Sequence, residues 1–237
     1  RVPLALASRL PVSLGCLVQS VEATANGVGV SIQEGQGSQV LAADACVIAT
    51  QLDDALALYR PLQALLPAGM AGFDYLRMID IKLAYRVRPD CAAGLLLCPM
   101  RDYPDINVIS VSHNKCADRA PAGMSLFSVF TEHSCYAELA ALDDAALVQR
   151  IASQLEAVFP ELAGQRLFQR VARQPRTCML PTPGYFHRAR ALWDGIDAGG
   201  RVHLAGDVFN FGSLEAAVHA GEAAAARMLS GAGQVQG

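Results

Sequence analysis

Residues 201–229, "RVHLAGDVFNFGSLEAAVHAGEAAAARML", limit the fold of this chain more than any other stretch. Residues 202–205 are a short apolar run of strand character, cut off at Gly206 and Asp207. The chain then passes Asn210, Phe211, Gly212 and Ser213 and enters an alanine-rich segment with strong helical preference. Glycines where a strand gives way to a helix let another group approach the backbone closely. A helix starting near Ser213 exposes unpaired N–H groups and the positive end of its dipole, which suits an anion or an electron-rich ring edge. Ser213 can cap that start, Gly212 permits close approach, and Gly206 permits a sharp turn without a Cβ. Asp207 is acidic, so it is better placed to accept from a sugar hydroxyl than to meet a phosphate. The plainer alternative is an ordinary strand-to-helix turn with a capping serine.

The rest of the chain alternates between two kinds of pattern. Residues 16–50 predict a β-meander: "CLVQSVEAT", a turn at Asn26 and Gly27, "VGVSIQE", a second turn at 35–38, then "QVLAA" and the apolar strand "DACVIAT". Gly27 and Gly29 lack a third glycine and a following helix, so they belong to a hairpin and not to a nucleotide loop. Residues 52–66 predict short helices broken by Pro61. From 73 to 131 come strands, "DYLRMIDIKLAYRVRP", "AAGLLLCPM", "DINVISVSH" and "GMSLFSVFTE", which suit an antiparallel sheet. "DDAALVQRIASQLEAVFPEL" carries Ala146, Leu147, Ile151, Leu155 and Val158 at helical spacing. The pairs Asp53, Asp54 and Asp143, Asp144 stand at helix starts, where they suit capping. Residues 166–174 return to a strand, and 177–200, rich in Pro and Gly, reads as irregular. The expected class is α/β, α+β overall. A discontinuous α/β domain over 1–66 and 195–237 is interrupted by an antiparallel sheet and helix over 67–194.

Composition narrows the partners. A net charge of −3 gives no electrostatic case for nucleic acid or an anionic membrane surface. Although 52% of the residues are hydrophobic, no window offers the apolar run of a membrane span; Glu215, His219, Glu222 and Arg227 interrupt the alanine-rich tail. The seven cysteines are scattered and form no CxxC, which suits reduced thiols in the cytoplasm, and no metal site is expected. The opening "RVPLALASRLPVSLG" has no signal layout and begins as a fragment, a processed chain or one piece of a split protein would.

"VHLAGDVFNFGSLEAAVHAGEAAA" resembles the carboxy-terminal flavin-binding motif of the flavin-containing amine oxidoreductase superfamily, which includes amine oxidases, protoporphyrinogen oxidases and phytoene desaturase-like enzymes. Ala205, Gly206 and Asp207 match its strand end, Gly212 to Glu215 its helix start, and Ala220 and Gly221 its small-residue pair; Ala216 replaces the usual glycine. Residues 16–50 look like the family's middle segment, and "VFPEL" with "PTPGYF" like its substrate-domain closing section. The resemblance implies an FAD-binding domain of Rossmann-like type, here partial, with an inserted substrate-binding domain. It implies that the Val18 backbone meets the adenine, that Ala49 and Thr50 lie on the diphosphate side, and that Gly206 and Asp207 line the pyrophosphate and ribityl chain. Gly212, Ser213 and Leu214 would present the helix start to the N1/O2 edge of the flavin ring. Tyr185 and Phe186 would line a substrate cavity.

Laying "MIDIKLAYRVRP" on the family's lysine-bearing strand puts Asp80 at the lysine position. Lys82 lies two residues on, hence on the same face, and is the candidate catalytic residue; the offset favours desaturase-like chemistry over amine oxidation. An exposed strand lysine is the alternative. The family opens with Gly-x-Gly-x-x-Gly, and no such motif occurs in these 237 residues. The chain is expected to correspond to the back ~55–60% of a family member, and to bind FAD poorly on its own. Three functions stay open. The first is the carboxy-terminal part of an FAD-dependent oxidoreductase moving a hydride from a small apolar or amine substrate to flavin N5. The second is a truncated or split subunit, inactive alone, that needs a partner carrying the Gly-x-Gly-x-x-Gly half. The third is a non-flavin protein that binds an apolar ligand.

Overall fold

A computed structural model describes residues 2–68, 74–196, 199–209 and 212–232. Asn210 and Phe211 of the final turn lie outside the described residues. The chain opens with α1 (Val2–Ala7), β1 (Cys16–Thr24), β2 (Gly27–Glu34), β3 (Gly37–Ala43), β4 (Cys46–Ile48) and α2 (Leu52–Leu58). Then follow β5 (Met78–Tyr85), β6 (Leu95–Leu97), β7 (Ile106–Val111), α3 (Ser112–Lys115), β8 (Ser125–Thr131), α4 (Tyr136–Ala140), α5 (Asp144–Val158) and β9 (Arg166–Gln174). It returns through α6 (Tyr185–Gly195), β10 (Val202–Leu204) and α7 (Leu214–Ala232). Among the described residues no helix is long and apolar enough to cross a membrane.

Two compact units result: Arg1–Asp74 with Met179–Gly237, and Tyr75–Cys178. In the first, β1, β2 and β3 form the expected antiparallel meander. The parallel pair β4 and β10 brings together strands from the two separate stretches of this unit. Helix α6 corrects the expectation of irregular chain over 177–200. Its turns bury Tyr185, Ala189 and Leu192, a helical spacing that was present in the sequence but hidden behind Pro181, Pro183 and Gly184. Gly184 supplies the left-handed residue from which it starts, at φ 76°. The helix belongs with the first unit and not with the inserted segment that was expected to reach residue 194. The Tyr185 hydroxyl donates to the Val208 carbonyl at 2.6 Å, and the Trp193 ring meets Phe209 edge-on at 4.8 Å.

The second unit is a five-stranded antiparallel sheet in the order β6-β7-β8-β5-β9. Strand alternation points Ile79, Ile81, Leu83 and Tyr85 of β5 to one face, with Ile109, Val111, Phe127 and Val129 beside them, all fully buried. Helix α5 covers that face with Leu147, Ile151 and Leu155. Asp143 caps α5 as its position suggested, accepting from the Ala146 N–H at 2.8 Å.

One buried charge ties the helix to the sheet. Asp105, just before β7, is 2% exposed and receives the Arg150 fork at 2.6 and 2.7 Å and the Gln154 amide at 2.5 Å. Its own N–H donates back to Gln154 Oε1 at 3.3 Å. Removing Arg150 leaves a buried carboxylate with one neutral donor. Arg150→Met is therefore expected to cost about 3 kcal/mol of stability, read from urea unfolding. Asp105→Asn in the same chain is expected to recover part of that loss, because the uncompensated charge is gone.

Candidate functional site

The ends of β4 and β10 meet in one turn. Their register pairs Cys46 with Val202, Val47 with His203 and Ile48 with Leu204. The Cys46 N–H donates to the Arg201 carbonyl at 2.8 Å, and the Ala205 N–H to the Ile48 carbonyl at 3.0 Å. Arg201 fastens the entry, donating to the carbonyls of Asp44 at 3.0 Å and Ala25 at 3.2 Å. At the exit, Gly206 turns at φ 127°, a conformation that L side chains rarely adopt, and a Cβ there would sit 3.7 Å from the Thr50 carbonyl oxygen. Ala49 and Thr50 are exposed at the end of β4. Two parallel strand ends thus stop side by side with bare backbone between them, the place where open α/β sheets receive ligands.

The chain beyond Gly206 makes one helical turn, Asp207–Phe209, before α7 begins. Burial pushes the Asp207 carboxyl above its ordinary pKa. Burial, and then the nearby Asp207 charge, pushes the Tyr185 phenol up as well, so the two groups share one environment. Ser213 caps α7, its Oγ accepting from the Ala216 N–H at 3.1 Å and its carbonyl from Ala217 at 3.1 Å. Gly212, Ser213 and Leu214 are exposed. The helix start therefore offers its dipole to anything that lies against it.

Of the residues expected to line a cofactor, Thr50 and Gly206 come together, with Asp207 following at once and Ser213 and Leu214 at the helix start. Val18 is exposed on β1, a strand that packs beside α2. Tyr185 is buried beneath the turn with its hydroxyl committed to backbone, whereas Phe186 is 51% exposed. Phe186, Trp193, Phe209 and His219 line a cavity of about 320 Å³ between α6 and α7.

Lys82 lies in the second unit on β5. Its ammonium donates to Asp80 Oδ2 at 2.8 Å and to Ser128 Oγ at 3.1 Å. Sequence alternation put Asp80 and Lys82 on one face. It gave no sign of Ser128 or of Arg170, which stand opposite Lys82 on the neighbouring strands, because cross-strand register depends on distant turns.

An α/β unit with paired parallel strand ends leading to a capped helix, interrupted by an antiparallel sheet, defines the class of fold. Solved structures share it. Cyclohexylamine oxidase from Brevibacterium oxydans IH-35A is 21% identical at a TM-score of 0.67, with 90% of this chain and 47% of that one covered. A putrescine oxidase redesigned in its cofactor binding is 15% identical at 0.73, with 97% and 52% covered. Reduced UDP-galactopyranose mutase is 14% identical at 0.64, with 86% and 43% covered. At these identities the likeness is one of fold, and the chain spans about half the length of the structures it matches. No curated protein matches it significantly in sequence. The family model of flavin-containing amine oxidoreductases matches residues 1–229. The chain belongs to that family.

The raised Asp207 carboxyl has a measurable consequence. An acid whose pKa is higher folded than unfolded weakens the fold while ionised, and the penalty fades as pH falls through the raised value. Asp207→Asn is expected to raise the urea midpoint at about pH 7.5 and to leave it unchanged below the ordinary carboxylate range.

Proposed function

We propose that this chain supplies the carboxy-terminal half of an FAD site and the substrate-holding sheet of an FAD-dependent oxidoreductase. The observation that carries the proposal is the meeting of Thr50 and Gly206 at two parallel strand ends, followed by the Ser213-capped start of α7. Bound FAD would supply a hydride acceptor, at ring nitrogen N5, for a C–N or C–C centre of a small apolar or amine substrate. The residues present fit the ribityl and pyrimidine portion of such a cofactor. Gly206 lets the backbone lie close to a chain of hydroxyls. Asp207 accepts from one of them, which accounts for a carboxylate kept at a position where it costs stability. The start of α7, with Gly212 and Leu214 exposed, meets an electron-rich ring edge. In the second unit, Asp80 and Ser128 hold the Lys82 ammonium as a fixed hydrogen-bond donor.

The diphosphate cradle comes from elsewhere, because no Gly-x-Gly-x-x-Gly occurs in these residues. Strand β4 supports this. Among the described residues it pairs on one side only, with β10, whereas parallel strands are normally flanked and covered. We place beside it the strand of a segment carrying that motif, joined to the chain or supplied by a partner.

Absorbance near about 450 nm in the purified protein tests the proposal. The chain alone is expected to be colourless and to turn yellow when co-produced with such a segment. Gly206→Val, which puts a branched side chain at φ 127°, is expected to abolish the colour. A yellow Gly206→Val protein, or an assembled protein that never takes up FAD, contradicts it.

A further inference from the structure

One face of the second unit's sheet carries a row of donors. Register sets Arg170 on β9 opposite Lys82 on β5, Lys82 opposite Ser128 on β8, and Ser128 opposite Ser110 on β7. Alternation turns all four away from the core face formed by Ile81, Val129 and Ile109. Four side chains from four strands therefore lie in one line across the sheet.

Charge along that line is unbalanced. Lys82 is answered by Asp80 on its own strand at 2.8 Å. Arg170 is exposed, and among the described residues its guanidinium has neither an ion pair nor a hydrogen bond. Like charges directly opposite each other on neighbouring strands destabilise a sheet, and here they stand side by side with one positive charge uncompensated. Donor capacity is also left over. The ammonium has three N–H bonds and gives two, and Ser128, having accepted from Lys82, keeps its own proton to give. The surroundings on the same face are apolar: Leu126 and Phe130 on β8, Phe168 on β9 at 53% exposed, and Leu95 on β6 at 48% exposed.

We infer that this face binds the carboxylate of a substrate whose remaining body is apolar, with the anion held between the Arg170 fork and the Lys82 ammonium. A guanidinium receives both oxygens of a carboxylate in one plane, and the anion removes the repulsion between the two cations. Asp80 is a positioning residue, holding the ammonium at the middle of the row. The word substrate rests on the flavoenzyme reading above; binding of the anion does not.

Titration of the full chain with hexanoate, hexylamine and hexan-1-ol at low salt, followed by amide NMR shifts, tests the inference. Hexanoate is expected to shift the amides of Lys82, Ser128 and Arg170 and to bind at least tenfold more tightly than the amine or the alcohol. Arg170→Gln, at an exposed position where folding is undisturbed, is expected to weaken hexanoate at least tenfold, and Arg170→Glu to shift the preference towards hexylamine. Lys82→Arg, which keeps the ion pair with Asp80, is expected to retain binding. Equal binding of the amine, no response to hexanoate, or indifference to Arg170→Gln would overturn it and make Arg170 a solubilising edge charge. Failure of the assembled protein to take up FAD leaves this titration unchanged, so the two failures are told apart.

Discussion

The parallel pairing of Cys46–Ile48 with Val202–Leu204 is the interaction on which the first unit depends. Parallel strands cannot be joined by a hairpin, and here the crossover contains the whole second unit and α6. The backbone bonds from Cys46 to Arg201 and from Ala205 to Ile48, with the Arg201 side chain bridging to Asp44 and Ala25, hold the two ends in register. A shift of one residue would turn His203 and its neighbours to the opposite face and carry Gly206 away from Thr50. The candidate site exists because this short ladder forms.

That ladder is short and open-edged. Among the described residues β4 and β10 pair only with each other, so each keeps an outer edge whose backbone donors and acceptors find no partner in this sheet. The chain belongs to a flavin-containing family, and the solved structures that share its fold are about twice its length. The proposed flavin site accounts for the features around it. Gly206 sits at a strained-for-others φ, the Asp207 carboxyl is held against its preference for water, and α7 begins in an exposed Gly-Ser-Leu.

Much of this was legible in the sequence for identifiable reasons. The meander followed from period-2 alternation and from the tight turn before Gly27. The start of α5 followed from Asp143, and the start of α7 from Ser213. Helix α6 escaped because Pro and Gly punctuate its approach, although Tyr185, Ala189 and Leu192 kept helical spacing. Tyr185 was expected to line a substrate cavity, and nothing in the sequence showed that its hydroxyl is spent on the backbone carbonyl of Val208. Lys82 and Asp80 were seen together because neighbours two apart share a strand face. Arg170 and Ser128 were not, because their alignment with Lys82 is set by turns far away in the chain.

The central claim is that the open edge of β4 and the start of α7 form one half of a flavin site. Amide hydrogen exchange tests it most directly, comparing the chain alone with the chain assembled with a Gly-x-Gly-x-x-Gly segment and FAD. Slowed exchange is expected at residues 46–48, where a new strand would pair, and in the first turn of α7, where the cofactor would lie. Bound flavin with unchanged exchange at both places would contradict it.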